Sequence, residues 1–309
     1  MEYIAIIVPL VFLVVAALLY FKGGKFTQNI SPGSIPTLEK YSTDLTHLAR
    51  EKKLDPVVGR ENEISRVIQI LSRRTKNNPV LIGKAGVGKT AIAAGLALAI
   101  VEKRVPPVLD NKRVLSLDLS GLLAGTKYRG EFEQRLKRVT DEIVSANRMI
   151  ILFIDEIHIL AEAGGAEGAI NAVDILKPLL SSGELQVIGA TTPEEYEKHI
   201  LNDKTLDRRL QSVIVLEPTA EQTKKILEGI KGIYEDYHKV EITPSAIIEA
   251  VQATKKIKNR AYPDKAIDVL DEASSKARID VLSGQDSVIP KVTSKEIKFI
   301  VNQWQDNRQ

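Results

Sequence analysis

Cysteine is absent from the 309 residues, which removes disulfides, thiolate catalysis and cysteine-ligated zinc from consideration. The four histidines, His47, His158, His199 and His238, fall at no metal-ligand spacing and read as ordinary surface or core residues. An excess of charge of one sign is also missing. With 43 basic residues against 40 acidic ones, the net +3 leaves no electrostatic footprint for nucleic acid, and no nucleic-acid partner is expected. Apolar residues are not scarce: 44% hydrophobic and 27% charged excludes a disordered chain. At this length the chain can bury a sizeable core, in one large domain or two smaller ones. No internal repeat, low-complexity tract or H-E-x-x-H protease motif occurs.

One long hydrophobic run is present. Tyr3–Phe21, YIAIIVPLVFLVVAALLYF, is nineteen residues without a charge. As a helix it would span about 28 Å, close to the roughly 30 Å hydrocarbon core of a bilayer. Tyr3, Tyr20 and Phe21 put aromatic rings near its ends, and Pro9 inside it is tolerated in a membrane helix. A cleaved signal peptide is disfavoured, because Glu2 stands where a basic n-region would be and no A-x-A site follows. Lys22, Lys25, Lys40 and Arg50 lie beyond the run. The positive-inside rule then places the N-terminus outside and the rest in the cytoplasm. Residues 1–21 are therefore expected to be a single-pass transmembrane anchor, with the glycine-, proline- and serine-rich stretch 22–37 as a linker. The i, i+3, i+4 apolar spacing of Leu38–Lys53 predicts one short helix leading into LDPVVGR, Leu54–Arg60.

The clearest chemistry begins at Pro79. PVLI reads as a buried strand, GKAGVGKT (Gly83–Thr90) follows at once, and AIAAGLALAIVEK then supplies strong helix formers. This is G-x-x-x-x-G-K-[ST] in the strand–loop–helix setting the motif requires. Its glycines, with Gly86, Val87 and Gly88 at the turn, let successive backbone N–H groups face phosphates at a helix N-terminus. Lys89 is suited to β/γ-phosphate charge and the Thr90 hydroxyl to magnesium. Downstream, MIILFIDEIHIL (Met149–Leu160) is an apolar run broken by Asp155 and Glu156. A strand buried on both faces would deliver these carboxylates beside the loop, Asp155 toward magnesium and Glu156 toward an attacking water as general base. ATP and Mg2+ are the implied cofactors.

Leu38–Ala97 resembles the start of the first ATPase module of the Clp-type AAA+ protein unfoldases. The likeness continues through AGTKYRGEFEQRLK, ILFIDEIHIL, LLSSGELQVIGATTPEEYEKHI, LDRRLQ and YPDKAIDVLDEASSKARI. Lys84-Ala85 departs from the acidic residue and proline usual in that loop, and Asp174 stands where asparagine is frequent. The resemblance implies further roles. Thr192 in GATT matches the sensor that meets the γ-phosphate or attacking water. Arg208 and Arg209 match the arginine-finger pair that acts on a neighbouring subunit's ATP. Val57–Arg60, with Val58 in its middle, resembles the loop packed on adenine, and Lys265 sits where the lid approaches nucleotide. Tyr128 in GTKYRG resembles the aromatic grip of the first pore loop, flanked by glycines that permit motion. Ala161–Ala172 resembles the second pore loop.

The expected fold is α/β: an AAA+ P-loop NTPase with a parallel sheet over residues 38–217 and a helical lid over 218–309, preceded by the transmembrane helix. Strands are predicted near 79–82, 113–117, 150–154, 186–190 and 212–216, with a purely helical pattern from Glu217 onward. The expected activity is ATP hydrolysis, driving the remodelling or unfolding of protein substrates threaded through a homohexamer. The resemblance offers no docking loop for a proteolytic chamber, so a protease partner is not expected. An ATP-switched membrane scaffold and a nucleic-acid motor are the alternatives. Tyr128 and Glu156 argue against the first, and the small net charge against the second.

Overall fold

Five strands rich in apolar residues form the centre of the molecule. The computed structural model describes residues 34–125, 129–162, 172–282 and 289–306. Its main sheet contains β1 (Ser42–Asp44), β2 (Asn78–Ile82), β3 (Arg113–Leu117), β4 (Ile150–Ile154), β5 (Gln186–Thr191) and β6 (Leu210–Ile214), in the order β1-β3-β4-β5-β2-β6. All neighbours are parallel except β1, which pairs antiparallel with β3 at the edge. Every residue of β2, β4 and β5 is buried, as parallel strands covered on both faces must be. The two-residue period divides them cleanly. Ile150, Leu152 and Ile154 join Val80, Leu115 and Val187 on one face, while Ile151 and Phe153 join Leu81, Val114 and Ile188 on the other. Each such side chain contributes about 1.5–3 kcal/mol through burial.

The strand prediction holds for all five parallel strands, β6 beginning two residues earlier than expected. Leu38–Lys53 is not one helix. It breaks into a helix Pro36–Lys40, strand β1 and a helix Leu45–Arg50. Polar residues compete with the helical backbone here: Ser42 Oγ bonds the Leu38 carbonyl at 2.6 Å, and Asp44 caps the second helix by accepting from His47 N at 2.9 Å. Arg113 Nε then ties Asp44 to the sheet at 2.8 Å. The buried Glu142 accepts the N–H groups of Thr37 and Leu38, so residues 36 and 37, read as the end of a linker, begin the fold.

Beyond β6 lies a helical lid: Ala220–His238, Pro244–Thr254, Asp264–Leu282 and Ser294–Asp306. These close on their own core of Leu227, Ile247, Val269, Leu270 and Ile297. Thr219 and Gln222 form a reciprocal capping box that starts the first helix. The lid is not purely helical, since β7 (Glu241–Ile242) and β8 (Lys291–Val292) pair parallel across it. The described residues from 35 onward group as one compact unit.

The membrane placement is corrected. Among the described residues no helix is long and apolar enough to cross a bilayer. The most apolar helix near the site, Lys89–Val101, has thirteen residues, about 20 Å against the roughly 30 Å needed. The apolar strands bury their residues within the protein. The proposed span Tyr3–Phe21 lies outside the described residues, and the single-pass topology with an outside N-terminus is not carried further.

At the amino ends of the strands a buried polar network closes the sheet. Lys112 Nζ donates to the Arg148 carbonyl at 2.6 Å and to Gln186 Oε1 at 2.5 Å, and Gln186 Nε2 donates to the Leu71 carbonyl. Burial, aided by the Arg148 charge, pulls the Lys112 pKa down to about 8 from an ordinary 10.5. Between those values the unfolded chain holds the proton that the folded chain has lost, so this group adds stability as pH rises through the window. Lys112→Met removes the effect. In urea unfolding, wild type should gain about 2–3 kcal/mol on this variant between pH 7.5 and pH 10.5. A difference independent of pH would show that Lys112 remains fully charged in the fold.

Candidate active site

Parallel pairing brings the carboxyl ends of β2, β3, β4 and β5 to one side, where a cleft of about 630 Å3 opens beneath the lid. The loop Gly83–Gly88 leaves β2 there. Gly83 N donates to the Thr191 carbonyl of β5 at 3.2 Å, and Val215 N donates to the Ile82 carbonyl at 2.8 Å. A Cβ on Gly83 would lie 2.4 Å from the Val215 carbonyl oxygen, so only glycine fits. Gly86 and Gly88 take φ of +77° and +95°, the left-handed region that glycine enters freely. The helix Lys89–Val101 starts directly after, and its first-turn N–H groups and positive dipole end face the cleft.

Two side chains of this helix meet the second motif. Lys89 Nζ donates to the Gly83 and Lys84 carbonyls at 2.8 and 3.0 Å, which holds the ammonium at the loop. Burial lowers its pKa, against the attraction of Asp155 and Glu156. Thr90 Oγ1 donates to Asp155 Oδ2 at 3.0 Å, so residues 65 apart in sequence share one oxygen site. Asp155 Oδ1 accepts from Glu156 N at 3.0 Å. Glu156 itself sits at φ +50°, a left-handed conformation uncommon for a non-glycine residue. That turn reverses the chain out of β4 and leads into the helix His158–Glu162.

The Thr90 and Asp155 oxygens form a hard donor set suited to Mg2+, which takes one or two protein oxygens and fills its octahedron with phosphate and water. Among the described residues no cluster of three or more metal-ligating side chains exists that would favour a metal held by protein alone. Thr192 lines the cleft at the end of β5, where its hydroxyl accepts from Glu195 N at 3.3 Å. Val58 lines the cleft with Val57, Ile226, Ile230 and Ile267, apolar residues suited to a flat base. Gly229 receives the Val58 side chain so closely that a Cβ there would lie 2.7 Å from it.

Not every expected residue arrives. Lys265 is buried at the base of the lid, its Nζ on the Ile257 carbonyl at 3.1 Å and 3.6 Å from Glu217, outside the cleft lining. Its neighbour Asp264 lines the cleft instead, packed on Gly86. Arg208 and Arg209 do not line this chain's own cleft, and Arg209 Nη1 reaches the Ser181 carbonyl at 3.5 Å. Tyr128 and residues 163–171 of the second pore-loop segment lie outside the described residues. Sequence reasoning missed Asp264, Tyr234 and His158. Tyr234 continues the stripe of Ile226 and Ile230 along one helix face at i, i+4 and i+8, which was the available signal. His158 stands two residues after Glu156 and bonds Thr191 Oγ1 through Nδ1 at 3.0 Å.

Comparison with known proteins agrees with this arrangement. Residues 79–215 match the ATPase family associated with various cellular activities (AAA), and residues 219–306 match the AAA lid domain. The "ATP-dependent Clp protease ATP-binding subunit ClpA homolog" of Cyanidium caldarium is 59% identical over 246 residues, 79% of this chain and 29% of that protein. "Chaperone protein ClpB" of Propionibacterium freudenreichii is 53% identical over 265 residues, 85% of this chain and 31% of that protein. Among solved structures, a closed-state reconstruction of Hsp104 with ATPγS and FITC-casein superposes with a TM-score of 0.77 at 43% identity, covering 87% of this chain and 47% of that one. The chain thus spans about a third of the length of the curated relatives it matches. None of these findings supports the membrane placement.

The contact of Gly86 with the lid yields a stability test. A Cβ on Gly86 would lie 2.6 Å from the Asp264 Cβ, and its φ penalises any side chain. Gly86→Ala should destabilise the fold by about 2–3 kcal/mol, from left-handed strain of about 1–2 plus overlap. Adding Asp264→Gly should recover the overlap part alone in thermal unfolding. No recovery in the double variant, beyond the effect of Asp264→Gly alone, would mean that loop and lid do not touch.

Proposed function

This chain belongs to the AAA ATPases of the Clp and Hsp100 type, and from that premise we propose that it couples ATP hydrolysis to the unfolding and threading of protein substrates through a ring of six copies. The AAA ATPase domain makes it an ATP-hydrolysing enzyme. The observation that carries the reading is the convergence of Lys89, Thr90, Asp155, Glu156 and Thr192 on one cleft at the strand ends. A relative seen with both ATPγS and casein supports a protein as the substrate.

The residues divide the work. The Gly83–Gly88 amides and Lys89 bind and orient the phosphates, Lys89 exchanging its two carbonyl partners for phosphate oxygens. Thr90 and Asp155 would hold Mg2+, which when bound offsets charge on the β- and γ-phosphates. Glu156, carried past the end of β4 by its left-handed turn, accepts a proton from the attacking water, and Thr192 orients that water or the γ-phosphate. Val58 and its apolar neighbours pack on adenine. Arg208 and Arg209, matched to an arginine-finger pair by the Clp resemblance, would stabilise transition-state charge in the adjacent subunit. Tyr128 grips the threaded chain.

Glu156→Gln should bind ATP with near wild-type affinity in calorimetry while its turnover falls by about 10²–10⁴. Retained turnover would remove Glu156 from the chemistry. Tyr128→Ala should keep ATPase activity within about threefold yet lose ATP-dependent unfolding of a tagged protein, with Tyr128→Phe retaining it. Unfolding by the alanine variant at the wild-type rate would leave an ATP-switched scaffold as the better account.

A further inference from the structure

Arg60 is 5% exposed, an unusual place for a guanidinium. It stands just before the helix Glu61–Leu71, and three segments of the chain meet on it. Its Nη1 pairs with Glu63 Oε1 at 2.7 Å, which fixes the plane of the group. Its Nη2 donates to two main-chain carbonyls, Val87 of the phosphate loop at 2.6 Å and Leu216 at 3.0 Å. Its Nε is buried without a hydrogen-bond acceptor, so the group is held for its Nη contacts at the cost of one unmet donor.

Both carbonyls stand at mechanical junctions. The Val87–Gly88 peptide is planar, so anchoring the Val87 carbonyl turns the Gly88 N–H away from the guanidinium and fixes one amide of the phosphate cradle. Leu216 lies just past Val215, whose N–H makes a sheet-side bond to the Ile82 carbonyl, and before Thr219, the cap of the first lid helix. It is therefore in the connection between sheet and lid. A single nitrogen bonded to both carbonyls cannot follow one without straining its bond to the other. Charge-assisted bonds of this kind are roughly twice as strong as neutral ones, so the link is stiff.

We infer that Arg60 is a positioning residue that couples the phosphate loop to the lid hinge, so that phosphate binding at Gly88 sets the angle of the lid. The inference rests on the nucleotide site proposed above. Lysine, with one compact ammonium and no fork, can hold one carbonyl but does not reproduce the fixed geometry that serves both.

The chain has no cysteine, so Asp141→Cys and Lys255→Cys, both exposed, give one nitroxide pair spanning sheet and lid. Electron–electron distance measurements on the full chain, diluted with unlabelled protein, are made with and without saturating ATP in the Glu156→Gln background. Wild-type Arg60 should give a distance distribution that shifts and narrows with ATP. Arg60→Met should bind ATP roughly tenfold more weakly and show no shift at saturation. Arg60→Lys should recover affinity to within about threefold but still show no shift, a separation that a merely structural role would not produce. A wild-type ATP response in either variant would overturn the coupling, as would weakened affinity with an intact shift. Failure of the Arg60 protein itself to bind ATP would instead remove the nucleotide site, and this inference with it.

Discussion

The parallel ladder β3-β4-β5-β2-β6 is the constraint from which the rest follows. Parallel strands must all enter from one side, so their carboxyl ends, and the turns that leave them, collect on the other. The phosphate loop follows β2, Asp118 follows β3, Asp155 follows β4 and Thr192 follows β5, and Ala85–Gly88 of the loop line one cleft with the other three. Burial enforces the register. A one-residue slip of β4 would exchange Phe153 and Ile151 with Leu152 and Ile154 between two differently shaped cores and would turn Asp155 away from Thr90. The position of the carboxylate is thus secured by hydrophobic packing behind it.

Close approach does the remaining placement, at points where no side chain fits. Gly83 lies against the Val215 carbonyl and Gly86 against Asp264 of the lid, while Gly189 of β5 leaves room for the Ile157 side chain beneath the Glu156 turn. The last contact supports the left-handed backbone at Glu156, which also gains the bond from Ile157 N to the Ala190 carbonyl at 3.0 Å. Strain at a residue suited to catalysis is sustained by surrounding contacts that leave the chain no easier path. The same economy of space ties the lid to the loop, where Gly86 meets Asp264.

Much of this was legible in the sequence, for identifiable reasons. β4 was visible because IILFI is apolar without interruption, and the phosphate loop because its lysine and threonine follow glycines at a fixed spacing. The break at Ser42–Asp44 was hidden. Leu38, Leu45 and Ala49 recur at helical spacing, which masks the local break set by Ser42 and the Asp44 cap and secured by the tertiary partners Arg113 and Glu142. Lys265 misled because adjacent residues on a helix face different ways: Asp264 meets Gly86 while Lys265 turns to Ile257 and Glu217. The two Arg60 Nη2 contacts could not be read at all, since both of those acceptors are main-chain carbonyls, which carry no sequence signal.

The central claim is that nucleotide binds between the strand ends and the lid and clamps both. Hydrogen exchange on the Glu156→Gln chain, with and without ATP, tests it most directly. The account predicts that amides of residues 83–90 slow together with those of 226–234 and 261–267, which line the lid side of the cleft. Slowing confined to 83–90, or to neither region, would contradict it.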